Sequence, residues 1–258
     1  MRIDPSRPTE RRRPDVIAHR GFGGDNTENT LRAVRTAVAV ADAVEVDVRR
    51  CGSGELVVVH DRRLHRLAGR PHVVGDLTLA ELQKIEIGPD GDRIPTLRDV
   101  VAAIPDGVEL VLELKERDIA ADAVRIAEAA GIDAWFSTAE PATLVELRGI
   151  PDARRTAWIV RASILNRAMR VLLHQTLPPL YRLEDPQGIV DRAAHLGCRA
   201  IHPRYELCLY TDLVERAHDA GLGVAVWTVE DRETIERLAS VGVTAVSVDR
   251  AALVDRHT

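Results

Sequence analysis

A chain of 258 residues with a formal net charge of -5, 45% hydrophobic and 29% charged residues has the composition of an ordinary soluble globular protein long enough for a sizeable core. Its mild acidity speaks against broad non-specific binding to nucleic acid, whose backbone repels an acidic surface. No run reaches the roughly 18 apolar residues of a membrane span, and the N-terminus lacks the apolar segment of about 7–15 residues that a secretory signal needs.

Cys51, Cys198 and Cys208 form neither a CxxC pair nor a dense framework, which suits reduced thiols in a cytoplasmic protein. Residues 1–13, with Pro5, Pro8 and Arg11-Arg12-Arg13, read as a flexible tail. No low-complexity linker divides residues 14–258, so a single domain is expected there.

From the tail onward, short apolar β-rich runs alternate with helix-period segments. The predicted strands are Val16–His19, Ala43–Val48, Val108–Lys115, Ile132–Ser137, Thr156–Val160, Ala200–Pro203, Gly223–Val229 and Val243–Asp249. Helices are predicted near 29–41, 96–103, 118–130, 140–148, 162–175, 186–196, 210–220 and 230–240. Gly131, Gly197, Gly221 and Gly242 each close one just before a strand. Eight strand–helix units point to a parallel sheet closed into a (β/α)₈ TIM barrel. An open doubly wound sheet is disfavoured: His19-Arg20-Gly21-Phe22 follows the first strand where a Gly-rich phosphate loop would stand. Residues 52–95 break the rhythm as a small excursion after the second strand, with an extra strand at Leu56–His60 and a short helix at Thr78–Glu86.

Strand parity carries the first chemical argument. In Ala43–Val48, Val44, Val46 and Val48 face the helices, while Glu45 and Asp47 share the barrel interior. In Val108–Lys115, Leu110, Leu112 and Leu114 take one face, and Glu113 and Lys115 the other. Two carboxylates ~4 Å apart at an effective dielectric of ~20 repel by about 4 kcal/mol, so such a cluster needs cations or protons. Oxygen-only ligands suit Mg²⁺ or Ca²⁺ rather than zinc. A network of buried ion pairs with Arg20, Arg49 and Lys115 satisfies the same electrostatics, and parity leaves both readings open. His19 and His60 end predicted strands at their carboxyl ends, where barrel active sites lie, and supply the parts for proton transfer in both directions. Lys115, one of only two lysines in the chain with Lys84, adds with Arg20 positive charge for an oxyanion.

The stretches Ala18-His19-Arg20-Gly21, Glu28-Asn29-Thr30, Glu45-Val46-Asp47, Val59-His60-Asp61, Ile94-Pro95-Thr96-Leu97, Glu113-Leu114-Lys115 and Val226-Trp227-Thr228-Val229, in this order, resemble the signature of the glycerophosphodiester phosphodiesterase family. The resemblance spans nearly the whole chain and is closest to compact bacterial and archaeal members. It implies a (β/α)₈ barrel that hydrolyses glycerophosphodiesters with one divalent cation, Mg²⁺ or Ca²⁺. It implies Glu45, Asp47 and Glu113 as metal ligands, His19 and His60 as the acid–base pair, and Arg20, Lys115 and Trp227 as substrate-binding residues. Two departures stand out: Thr27 replaces a proline common before the ENT motif, and Ser247-Val248-Asp249-Arg250 replaces a usual Thr-Asp-Pro ending. Two other readings compete, a lyase-type lysophospholipase D that yields a cyclic phosphate and a catalytically silent barrel that only binds.

Overall fold

The structure is a computed structural model that describes residues 13–161, 181 and 184–254. The predicted tail up to residue 12 and the predicted helix 162–175 lie outside the described residues. Nine strands are present among those described: β1 (Asp15–Ala18), β2 (Ala43–Arg50), β3 (Leu56–Val58), β4 (Glu109–Leu114), β5 (Trp135–Thr138), β6 (Thr156–Val160), β7 (Ala200–Pro203), β8 (Gly223–Val229) and β9 (Ala245–Val248). Their order is β1-β9-β8-β7-β6-β5-β4-β2-β3, and a further β1–β2 pairing, Ile17 opposite Ala43, closes the ring. Eight strands are parallel and form the barrel; β3 runs antiparallel on β2 as the extra strand of the excursion.

Alternation explains the two apolar layers. Val44, Val46, Val48, Leu110, Leu112 and Leu114 are buried in the large core between strands and helices. Inside the barrel, a plug takes one side chain from each parallel strand: Ile17, Ala43, Val111, Trp135, Ala157, Ala200, Ala225 and Ala245. The alanines make room for the indole of Trp135 in the lower barrel. Polar groups are thereby left for the upper end.

The excursion has its own small core, built from Cys51, Val57, Val59, Leu64, Val74, Leu82, Ile87 and Ile94. Its helix Leu79–Leu82 is shorter than the Thr78–Glu86 segment predicted. Thr78 and Glu81 form a capping box that fixes the start, but Lys84 and Ile85 bond back to Glu81 and Leu82, tightening the turn and ending it. The predicted helix 210–220 is present as Leu213–Asp219, and a further short helix, Tyr205–Tyr210, precedes it, the two parted where Thr211 takes an extended conformation. All three cysteines are buried and free, and burial pushes the Cys198 thiol up to about 12. Among the described residues, no helix is long and apolar enough to cross a membrane.

Candidate active site

At the carboxyl ends of the strands, β2 presents Glu45 and Asp47 inward, and the β2–β4 register sets Asp47 opposite Glu113. Each of the three offers one carboxylate oxygen, all within 4.8 Å of one another. The Arg20 Nε lies 3.3 Å from Asp47 Oδ2 and Lys115 Nζ 2.9 Å from Asp47 Oδ1, while Lys115 also pairs with Glu113. Burial works against the charge on Asp47, but these two cations outweigh it and hold its carboxyl well below the usual range. Glu45 is less well served. Burial, then repulsion from Asp47, pushes its carboxyl up to about 8. Its Oε2 accepts from the Arg20 backbone N–H at 2.9 Å, but its Oε1 is buried with no hydrogen-bond partner among the described residues.

That orphaned oxygen bears on both open readings. Arg20 and Lys115 do form ion pairs here, whereas Arg49 turns away to Glu116 at 2.8 Å. Among the described residues the three carboxylates therefore face Arg20 and Lys115, and Glu45 Oε1 has neither a hydrogen bond nor an ion pair. An all-oxygen donor set of this kind fits a hard divalent cation such as Mg²⁺ or Ca²⁺.

The His19-Arg20-Gly21-Phe22 stretch forms a tight turn, not the end of a strand. Arg20 (φ 52°) and Phe22 (φ 62°) occupy the left-handed region, so β1 stops at Ala18. Gly21, at φ +72°, is also required by space, since a Cβ there would lie 2.7 Å from the Ala33 carbonyl carbon. The Glu28-Asn29-Thr30 stretch then supports three different groups. Glu28 Oε1 accepts from Arg20 Nη1 at 3.0 Å. Asn29 Nδ2 donates to Asp47 Oδ2 at 2.7 Å, and Asn29 Oδ1 accepts from the Asp47 backbone N–H at 3.0 Å. The Thr30 hydroxyl accepts from Ala33 N, capping the helix Leu31–Ala37.

Both histidines are held by a carboxylate at Nδ1. His19 pairs with Asp249 Oδ1 and His60 with Asp61 Oδ1, each at 2.7 Å. An ionised carboxylate can only accept, so Nδ1 carries the proton and Nε2 is the nitrogen left for chemistry. His19 Nε2 lies 4.0 Å from Glu45 Oε2. His60 reaches the mouth because β3 pairs with β2 and Val59 N donates to Asp47 O at 2.9 Å, while Arg49 Nε donates to the His60 carbonyl. The two imidazoles differ. Burial lowers the His19 pKa, but the Asp249 hydrogen bond and the Glu45 charge raise it more. For His60, burial prevails over the Asp47 charge and the net shift is downward.

The mouth opens into a cavity of ≈ 310 Å³ lined by His19, Arg20, Glu45, His60, Glu113 and Lys115. Ser137, His202, Trp227, Thr228 and Ser247 also line it. Trp227 is fixed edge and face: its Nε1 donates to the His202 carbonyl at 2.8 Å, and the Arg204 guanidinium carbon lies 5.5 Å from a ring centroid. Arg204 itself is engaged by Glu206 through two hydrogen bonds, at 2.7 and 3.0 Å. Thus all eight residues singled out from the sequence border one site. Four partners were not singled out: Glu28, Asn29, Asp61 and Asp249. Three of them stood inside the motifs that carried the resemblance, without a role.

A closed parallel barrel with carboxylates, imidazoles and cations gathered at the carboxyl-end mouth defines a barrel enzyme class equipped for acid–base chemistry on an anion. The model of the glycerophosphoryl diester phosphodiesterase family matches residues 19–253, and the chain belongs to that family of phosphoric diester hydrolases. It is 28% identical over 249 residues to a glycerophosphodiester phosphodiesterase of Caldanaerobacter subterraneus subsp. tengcongensis, covering 91% of this chain and 93% of that one. Among solved structures, a glycerophosphodiester phosphodiesterase of Thermotoga maritima superposes with a TM-score of 0.74 at 26% identity, covering 92% of this chain and 95% of that one. An Oleispira antarctica phosphodiesterase, solved with its product sn-glycerol-3-phosphate, superposes with a TM-score of 0.71 at 25% identity, covering 92% and 93%.

Proposed function

We propose that this protein hydrolyses glycerophosphodiesters to glycerol phosphate and an alcohol. In this reading His19 and His60 are the acid–base pair, and Glu45, Asp47 and Glu113 hold a divalent cation, Mg²⁺ or Ca²⁺. The observation that carries it is the pairing of two imidazoles, each held at Nδ1 by a carboxylate, beside a three-carboxylate cluster on one cavity.

The charge balance supports an anionic substrate. With Glu45 ionised beside a bound dication, three carboxylates against Arg20, Lys115 and the dication leave a surplus of one charge, matching a phosphodiester monoanion. When bound, the cation supplies charge neutralisation at the non-bridging phosphate oxygens. Arg20 and Lys115 bind and orient the same group. One imidazole, neutral at Nε2, takes the proton of the attacking oxygen; the other, protonated, delivers one to the leaving alkoxide. Trp227 lines the wall against which the rest of the substrate lies. The homologue solved with sn-glycerol-3-phosphate supports this choice of product.

The test is a panel of glycerophosphodiesters assayed by phosphorus NMR with and without a chelator. Linear glycerol phosphate, formed only with Mg²⁺ or Ca²⁺ restored, is the expected result. Undiminished turnover in chelator overturns the cation assignment, and cyclic phosphate as the end product replaces hydrolysis with the lyase reaction.

A further inference from the structure

Two of the supporting carboxylates, Glu28 behind Arg20 and Asp61 behind His60, are gripped by one side chain that comes from the excursion. Arg66 Nη1 and Nη2 donate to Glu28 Oε2 and Oε1, and Arg66 Nε donates to Asp61 Oδ2, each at 2.7 Å. All three guanidinium nitrogens are used, and the fork on Glu28 has the bidentate geometry in which arginine–carboxylate pairs are strongest. Glu28 Oε1 is shared between Arg66 and Arg20, so the position of Arg66 sets where Glu28 sits and hence how far Arg20 is drawn toward Asp47. Asp61 uses its other oxygen, Oδ1, for His60 Nδ1.

The clamp has a firm base. Arg66 lies in the one-turn helix His65–Ala68; Leu64 just before it is fully buried in the excursion core, and Leu67 packs against that core. The carbonyl of Leu67 accepts from Gly88 N at 3.1 Å, tying the turn to the far side of the excursion. The Arg66 side chain is 50% exposed. An exposed ion pair contributes ~0–1 kcal/mol to stability, so folding alone gives little reason for three aligned bonds here.

We propose that Arg66 is a positioning residue: by clamping Glu28 and Asp61 together it sets Arg20 and His60 in one arrangement at the mouth. This rests on the functional reading above, in which Arg20 holds phosphate and His60 moves a proton. Misplacement of reacting groups by about 1 Å can cost ~10²-fold.

The experiment uses the metal-loaded full chain and the variants Arg66→Met and Arg66→Lys, alone and combined with Glu28→Gln or Asp61→Asn. Arg66→Met is expected to lower kcat/KM about 10- to 100-fold with little change in melting temperature. Arg66→Lys should restore little of that, because a single ammonium cannot make the fork and the third bond. Added methylguanidinium should recover activity in Arg66→Met. Combined with Glu28→Gln or Asp61→Asn, Arg66→Met should cost less than it does alone, since one of its two intermediaries is already gone. Values of kcat/KM within twofold of wild type, or costs that add in full in the double variants, overturn the clamp. Arg20→Ala and His60→Ala, assayed alongside, separate the two readings: if they retain turnover, the functional reading falls and the clamp with it; if only the Arg66 variants do, the clamp alone falls.

Discussion

Asn29 and Asp47 exchange two hydrogen bonds in the buried base of the site, side chain to carboxylate at 2.7 Å and backbone N–H to side-chain carbonyl at 3.0 Å. Asn29 adopts φ 60°, a conformation asparagine tolerates better than most residues, so one side chain both shapes the turn and fixes the central carboxylate. Asn29→Ala should therefore destabilise by about 1–3 kcal/mol, the cost of leaving a buried polar group unpaired. Asn29→Asp should cost more despite its compatible backbone, because it sets a carboxylate against Asp47. Thermal melts of the two variants check the order.

Asp249 is expected to matter for turnover more than for binding. It holds His19 at Nδ1 and raises its pKa, so Asp249→Ala loses both orientation and charge. The expected loss in kcat is about 10- to 100-fold, part of the ~10²–10⁴-fold a general acid–base group supplies. The sign of the pH effect follows directly: without the hydrogen bond and charge that raise it, the His19 pKa falls. The corresponding limb of the kcat profile should then move toward acid.

The carboxylate cluster makes stability depend on pH in an unusual direction when metal is withheld. Glu45 is pushed up to about 8 in the fold against an ordinary value of 4.5, so between those values the native state binds the extra proton. Chelated protein should lose stability as pH rises from about 5 to 8. Mg²⁺ or Ca²⁺ at about 100 times its Kd should add ~2.7 kcal/mol at neutral pH. Glu45→Gln should flatten the metal-free slope and reduce the metal-induced shift. Urea midpoints across this range, with and without cation, measure all three.

Trp227 is expected to act on substrate affinity. Trp227→Ala removes the wall of the cavity and should raise KM by about tenfold, equivalent to ~1.4 kcal/mol. Trp227→Phe keeps an aromatic face for Arg204 but loses the bond to the His202 carbonyl, and should fall between. Steady-state kinetics on the preferred glycerophosphodiester decide it.

The part of this architecture legible along the chain is the part governed by local periodicity. Strand parity needs only the two-residue repeat, so it assigned Glu45, Asp47 and Glu113 to the barrel interior before any fold was known. Glycine punctuation marked where helices end. The tight turn at His19–Gly21 escaped the same reading, because left-handed residues other than glycine leave little trace in composition.

The sequence by itself thus determined the alternation of strands and helices, the facing of the three acids and, through short motifs in order, the family. Only the tertiary structure decided which groups support which. Asp249 meets His19 across 230 positions because β9 pairs with β1 when the barrel closes. Arg66 meets Glu28 across 38 positions because the excursion folds back over the mouth. Neither contact leaves a periodic mark, since each depends on where separate elements come to rest in space and not on the geometry of any one of them.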